Sequence, residues 1–372
     1  LKIVVSPDSF KGSLSSSEII SICEKVIIRH VKGADIIHMP IADGGEGTLD
    51  VFAGISGGKV ENIRVTGPLG SGVNAQFGHR DDTFIVEMAK ASGITLISQY
   101  EKNPLKATSI GTGEIIRCGL DRGYRKFIIG IGGSATNDGG TGMLYALGAR
   151  FYDGGGKELY PNGESLAEIE KIDMDGFDSR IWESEIQVMC DVDNPLTGER
   201  GATYTYGVQK GADEDMLVLL EKGMKNFREK VIEEFGVDMD TISGAGAAGG
   251  MGGALSVFCG ARLLLGIDAI LEFADFPSII EDADFVITGE GRIDSQSMHG
   301  KAVFGIAKMC REKGVPVYAL CGGIEGDVKG IYEMGVKSIM PLTNRPMSIE
   351  EAIENSTELL EDAVDRMLRF IL

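Results

Sequence analysis

The 372-residue chain sets 36 Lys and Arg against 56 Asp and Glu, a formal net charge of −20 that disfavours a nucleic-acid partner, because phosphate-backbone binding depends on clustered cations. Its 43% hydrophobic and 25% charged residues suit a globular protein of two domains or one large α/β unit. The six cysteines show no CxxC and no zinc spacing, no signal-peptide pattern opens the chain and no apolar run approaches a membrane span, so the expected setting is cytoplasmic, without disulfides or membrane.

In chain order, short β-rich apolar runs break repeatedly into polar loops. Ile3 to Ser6 leads into Pro7, Asp8, Ser9, Phe10 and Lys11. Ser15 and Glu18 then have capping-box spacing ahead of a helical pattern through Ile19, Ile22, Cys23, Val26 and Ile27. Ile36 to Ile41 leads into Asp43, Gly44, Gly45, Glu46 and Gly47. Residues 60–83 read as polar strands or hairpins turning at Gly67-Pro68 and Asp81-Asp82, and Phe84 to Val86 meets Glu87 and Lys90.

The densest signal is KFIIGIGGSATNDGGTG, Lys126 to Gly142, a buried strand followed by a glycine-rich loop and a helical pattern from Met143. Such a turn exposes backbone N–H groups at a helix start, where an anion is favoured; a tight strand–helix connection is the plainer reading. Ile186 to Cys190 leads into Asp191, Val192, Asp193 and Asn194. Asp215 to Phe235 has the apolar stripe of a core-packed helix ending at Gly236. SGAGAAGGMGG at 243–253 contains a formal G-x-G-x-x-G (Gly244, Gly246, Gly249), but a polar stretch precedes it, so a flexible turn is expected rather than a dinucleotide site. Phe285 to Ile287 leads into a loop carrying Glu290, Arg292, Asp294 and Gln296, and Val317 to Leu320 leads into Cys321, Gly322 and Gly323. A last helix is expected from Ser348 and Glu351 through Ile353, Leu360, Val364 and Met367.

In open α/β sheets ligands bind outside the carboxyl ends of the strands, so the repeated charged loops read as an active-site rim. Helix capping explains any one of the acids but not Lys11, Arg292 and Gln296 as well. No Walker A sequence is present, and the four histidines are dispersed, with His299 beside Lys301 the one to watch. The cleaner strand–helix alternation at both ends suggests a domain of 1–61 plus 281–372, discontinuous in sequence, with a more mixed domain inserted at 62–280.

Together the segments PDSFKGSLS (7–15), PIADGGEGT (40–48), VEMAKASG (86–93), ATSIGTGE (107–114), GIGGSATNDGG (130–140), CDVDNPLTG (190–198), YGVQKGA (206–212), GAAGGMGG (246–253) and TGEGRIDSQSMHGK (288–301) resemble the bacterial class I glycerate kinase family over nearly the full length. Ser6, Ile110, Val208 and Val303 depart from its usual residues without removing a polar group assigned to chemistry. The resemblance implies ATP-dependent phosphorylation of D-glycerate with Mg²⁺, usually to 2-phosphoglycerate. It also implies two α/β domains around a central cleft, one Rossmann-like with a mainly parallel sheet and discontinuous, the other inserted and mixed. The expected partners are D-glycerate and ATP, with no nucleic acid and no membrane, and homodimerisation is left open. Glycerate 3-kinase activity, an NAD-dependent dehydrogenase built on the 130–135 loop and a non-catalytic hydroxy-acid binding protein are the alternatives.

Phosphoryl transfer needs a metal held by carboxylates, donors on the phosphates and an aligned hydroxyl. Lys11 and Arg292 are therefore expected to neutralise phosphate or glycerate charge, with Asp191 or Asp294 accepting the hydroxyl proton. Asp43, Glu46 and Glu290 are the expected Mg²⁺ contacts. Asp8, Ser134, Asn137, Asp138, Asn194, Gln296 and Lys301 are expected to bind substrate or phosphate.

Overall fold

The computed structural model describes residues 1–10, 12–41, 48–54, 57–294 and 302–372. Its strands are β1 (Lys2–Pro7), β2 (Asp35–His38), β3 (Lys59–Thr66), β4 (Gly72–Arg80), β5 (Thr83–Glu87), β6 (Lys126–Gly130), β7 (Arg150–Tyr152), β8 (Lys171–Asp173), β9 (Glu185–Met189), β10 (Arg262–Leu264), β11 (Phe285–Ile293), β12 (Val317–Ile324) and β13 (Val336–Pro341). The chain divides into two compact units, Leu1–Asp43 with Ile267–Leu372, and Gly44–Gly266.

The first unit is built on one sheet in the order β13-β12-β11-β1-β2, parallel throughout. Because its strands are covered on both faces they are apolar at consecutive positions, and Ile3, Val4 and Val5 are all fully buried. Ile3, Val5, Phe285 and Ile287 share a core with the helices Ser16–His30 and Ser356–Ile371. By strand alternation Val4 and Val286 face the other side, where helix Ala302–Lys313 packs on β11 and β12. Chain order runs outward from β1 to β2 on one side and from β11 to β13 on the other. The topological switch point is therefore between β1 and β11.

The second unit holds a six-stranded sheet, β10-β9-β6-β5-β4-β3, parallel from β10 to β5 and antiparallel from β5 to β3, and a separate β7-β8 pair. Its core draws on Phe84, Phe127, Ile129 and Val188 from the sheet and on Met224, Phe227 and Val231 of helix Glu214–Phe235. That helix starts with Asp213 accepting from the Met216 N–H at 2.8 Å and ends at Gly236 in the left-handed region. Among the described residues no helix is long and apolar enough to cross a membrane, and all six cysteines are free.

Three expectations are corrected. β11 does not stop at Ile287: it continues to Ile293 because β12 pairs with it as far as Ile293↔Ile324, so Glu290 and Arg292 stand on a strand and not in a loop. Gly289 permits this close pairing, since a Cβ there would lie 2.6 Å from the Leu320 carbonyl oxygen. The C-terminal helix is two helices, Ile349–Glu354 and Ser356–Ile371, interrupted at Asn355, whose side chain donates to the Glu351 carbonyl at 2.7 Å. The glycine-rich 243–253 stretch is a packed element and not a flexible turn. Helix Ala247–Cys259 begins there through Ala248, Gly249 and Gly250, all at positive φ, and a Cβ on Gly249 would lie 2.1 Å from the Thr136 carbonyl oxygen.

Candidate functional site

The structure distributes the sequence-predicted site residues over both units. In the first, β1 ends alongside the middle of β11: Pro7 pairs with Gly289, and the Asp8 N–H donates to the Gly289 carbonyl at 2.8 Å, while β11 runs on to Ile293. Asp8 and Glu290 thereby stand beside the switch point of a doubly wound sheet, where such sheets bind ligands, and Arg292 and Asp294 follow on the extension of β11 beyond it. Glu290 and Asp294 are 5% and 8% exposed. The Arg292 side chain is 63% exposed and reaches Asp294 at 3.3 Å and Glu325 at 3.1 Å. Glu325 was not singled out in the sequence, because it follows a strand pattern that was expected to end at Leu320. Lys11, Asp43, Glu46, Gln296 and Lys301 lie outside the described residues.

Helix capping does not account for Asp8. The helix that follows β1 is capped by Ser15, whose hydroxyl accepts from the Glu18 N–H at 3.3 Å while the Glu18 carboxylate accepts from the Ser15 N–H at 2.8 Å.

In the second unit the 132–142 loop is closed on itself. Asp138 is fully buried: Oδ2 accepts from the Ser109 N–H at 2.8 Å, the Ser109 hydroxyl at 2.7 Å and the Gly142 N–H at 3.2 Å, and Oδ1 accepts from the Gly140 N–H at 3.1 Å. The donors expected to face an incoming anion are therefore taken by a carboxylate of the same chain. The Asp138 carboxylate, expected from the sequence to contact substrate, is thus held by donors of its own chain. Burial pushes its carboxyl above the usual range, and the Ser109 hydrogen bonds oppose that rise. Asn137 is also fully buried, donating to the Thr203 hydroxyl at 3.1 Å. Ser134 forms an isolated bridge with Gly93.

A buried cation that the sequence did not reveal supports this loop. Lys210, 2% exposed, donates from Nζ to the Thr136 carbonyl at 2.6 Å. Desolvation lowers its pKa to about 7, opposed by the Asp138 charge. Nothing in YGVQKGA distinguishes this lysine from a surface one; only the packing of the loops does.

Asp191 follows β9, and its Oδ1 accepts from the Gly266 N–H at 2.8 Å, the first residue of helix Gly266–Phe273. Asn194 is held from both ends: Nδ2 donates to the Arg200 carbonyl at 2.7 Å, and Oδ1 accepts from the Tyr206 hydroxyl at 2.7 Å. Among the described residues no group of three or more His, Cys, Asp and Glu is arranged to hold a metal. A magnesium ion carried on a nucleotide needs only one or two carboxylates besides phosphate and water, and the hard oxygen donors of Glu290 fit that lesser demand.

Comparison with known proteins agrees with this architecture. The model of the glycerate kinase family matches residues 3–372. Glycerate kinase of Bacillus subtilis (strain 168) is 45% identical over 363 residues, 97% of this chain and 95% of that protein. Glycerate 2-kinase of Escherichia coli (strain K12) is 42% identical over 358 residues, 96% and 94% of the respective chains. A crystal structure described as a candidate glycerate kinase 2 from Salmonella typhimurium LT2 superposes with a TM-score of 0.88 at 40% identity, covering 100% of this chain and 98% of the other. With a family match over nearly its whole length and an α/β fold shared with that structure, the chain is an enzyme that belongs to the glycerate kinase family.

Proposed function

We propose that the chain catalyses ATP-dependent phosphorylation of D-glycerate, with Mg²⁺ and with 2-phosphoglycerate as the product. The observation that carries this reading is the placement of Asp8 and Glu290 beside the β1/β11 switch point, with Arg292 and Asp294 paired on the extension of β11. The 42% identity to a glycerate 2-kinase supports the choice of hydroxyl. In the reaction the substrate hydroxyl oxygen forms a bond to the γ-phosphorus, the bond from that phosphorus to the β–γ bridging oxygen breaks, and the hydroxyl proton passes to a carboxylate.

Arg292 supplies a planar pair of donors suited to the glycerate carboxylate or to phosphate oxygens. Its ion pairs with Asp294 and Glu325 hold the guanidinium in place before substrate arrives. Asp294 is the proton acceptor in this assignment, and Glu290 would hold the metal through its carboxylate oxygens. Mg²⁺ neutralises phosphate charge when bound. Lys11 and Lys301 act as point charges, while Asp8 and Gln296 orient substrate oxygens.

The test is ADP release from MgATP with a panel of small hydroxy acids including D- and L-glycerate, followed by NMR of the product. Turnover confined to D-glycerate, with phosphorus–carbon coupling at C2, is the expected result. Coupling at C3 instead assigns glycerate 3-kinase activity, and folded enzyme that releases no ADP with any acid defeats the kinase reading.

A further inference from the structure

Two adjacent glycines of β12 stand in different surroundings. A Cβ on Gly322 would lie 2.5 Å from the Gly291 carbonyl oxygen, so the close approach of β11 requires that glycine. Gly323 meets no such demand. Among the described residues nothing lies within 4 Å of a Cβ built on it, and its φ lies outside the left-handed region. A glycine inside a strand is destabilising relative to alanine. Where neither φ nor packing calls for it, a remaining reason is the approach of a ligand to the backbone.

The register sets Gly323 opposite Arg292. Paired residues of neighbouring strands point to the same side of the sheet, as do residues two apart along a strand, so Arg292 shares a face with Gly323 and Glu325. Arg292 makes its ion pairs on that face, with Asp294 at 3.3 Å and Glu325 at 3.1 Å. The two acids differ in burial: the Asp294 side chain is 11% exposed and that of Glu325 is 68% exposed. An exposed pair is weak, because water solvates both partners and each long side chain loses freedom in forming it. The pair with Glu325 is therefore the one that an incoming anion exchanges at little cost. Only a side chain has to move, since the Glu325 N–H is anchored on the Ile293 carbonyl at 2.9 Å.

We propose that the open space over Gly323 seats the carboxylate of the hydroxy-acid substrate, which takes the place of Glu325 on the Arg292 guanidinium. Gly323 is then a specificity-determining position, and Glu325 is a placeholder that occupies Arg292 until substrate arrives. The guanidinium fork matches a planar carboxylate, and Glu325 already presents one to it. The assignment rests on the kinase reading above, and it commits Arg292 to the acid rather than to phosphate.

The experiment measures D-glycerate binding to the whole enzyme by titration calorimetry, with KM values for D-glycerate and MgATP, in Gly323→Ala, Gly323→Val and Glu325→Gln. The thermal midpoint of Gly323→Ala should not fall, because its methyl group enters open space. Gly323→Val is expected to weaken D-glycerate about tenfold (on the order of 1.4 kcal/mol) and Gly323→Ala a few-fold, with the KM for MgATP nearly unchanged. Glu325→Gln removes the competing charge and is expected to tighten D-glycerate a few-fold, opposite in sign to the loss of a residue that merely orients Arg292. D-Glycerate binding indifferent to both Gly323 variants, or a KM for MgATP raised as much as that for D-glycerate, overturns the seat. Weaker D-glycerate binding in Glu325→Gln overturns the exchange. ADP release by the wild type separates the two proposals: turnover with binding indifferent to the Gly323 variants defeats the seat alone. Binding weakened by those variants, in a wild type that releases no ADP, defeats the kinase reading alone.

Discussion

Two loops of this protein follow the same layout, a buried parallel strand, a polar turn and a helix, and treat their acids differently. After β6, Asp138 turns inward and accepts from the N–H groups of Ser109, Gly140 and Gly142. After β1, the helix Ser16–His30 is capped by Ser15 and Glu18, and Asp8 takes no part in that cap. An acid at a strand end is thus read by asking which group satisfies the donors of the next helix. By that criterion Asp138 is held within its own loop, whereas Asp8 is assigned, in the function proposed above, to the site with Glu290, Arg292 and Asp294. Asp191 stands between them, capping helix Gly266–Phe273 from 75 residues away.

The largest expected effect breaks the inward loop. Asp138→Ala removes the acceptor for three buried N–H groups and one hydroxyl at once. Removing one partner of a buried charged network costs about 3–5 kcal/mol. Urea denaturation should therefore show a large drop in midpoint, with residual activity tracking the folded fraction. A variant as stable as the wild type but catalytically dead would place Asp138 in the chemistry and overturn the contrast.

Arg292→Ala tests the other side. Loss of a transition-state charge partner costs about two to three orders of magnitude in rate, or about 3–4 kcal/mol. The exposed Arg292–Glu325 pair contributes at most about 1 kcal/mol to folding. The expected outcome is a deep fall in kcat/KM with a nearly unchanged thermal midpoint. Wild-type kinetics in this variant would remove the switch-point site from the mechanism.

Much of this organisation was legible in the sequence because it depends on local chemistry. Consecutive β-branched residues placed β1, β5, β6 and β11, and Ser15 with Glu18 placed the start of the first helix. What was not legible depends on partners distant in the chain. The extension of β11 to Ile293 is dictated by β12, and the closure of the 132–142 loop by Ser109. The burial of Lys210 is likewise a property of tertiary packing, as is the approach of Gly249 to Thr136. Within the site, the charged residues at the β1 and β11 ends were visible as types. Their placement beside and beyond the β1/β11 switch point required the strand order.

Lys210 sharpens the comparison through pH. Its folded pKa, about 7, lies below the ordinary 10.5, so between those values the unfolded chain binds more protons than the folded one. Stability therefore rises with pH across that window; the penalty for burying the cation is fully present below pH 7 and relieved above 10.5. Lys210→Met lacks this group, so its stability relative to the wild type should decline from pH 7 to pH 9 by about 2–3 kcal/mol. Urea midpoints of both proteins across that range check the prediction. Parallel pH curves would mean that Lys210 is not the titrating group that supports the loop.

The smallest effect tests the criterion itself. Ser15→Ala removes the hydroxyl that accepts from the Glu18 N–H, at a cost of about 1 kcal/mol. If Ser15 is the cap that relieves Asp8 of a structural role, Asp8→Asn should leave stability within about 0.5 kcal/mol of the wild type and act on turnover alone. In the Ser15→Ala background Asp8→Asn should then add nothing further to the loss of stability, because independent groups contribute additively. A non-additive pair would show that Asp8 shares the cap. The acid after β1 would then be doing what Asp138 does after β6, and the division between scaffold and site would have to be drawn on other residues.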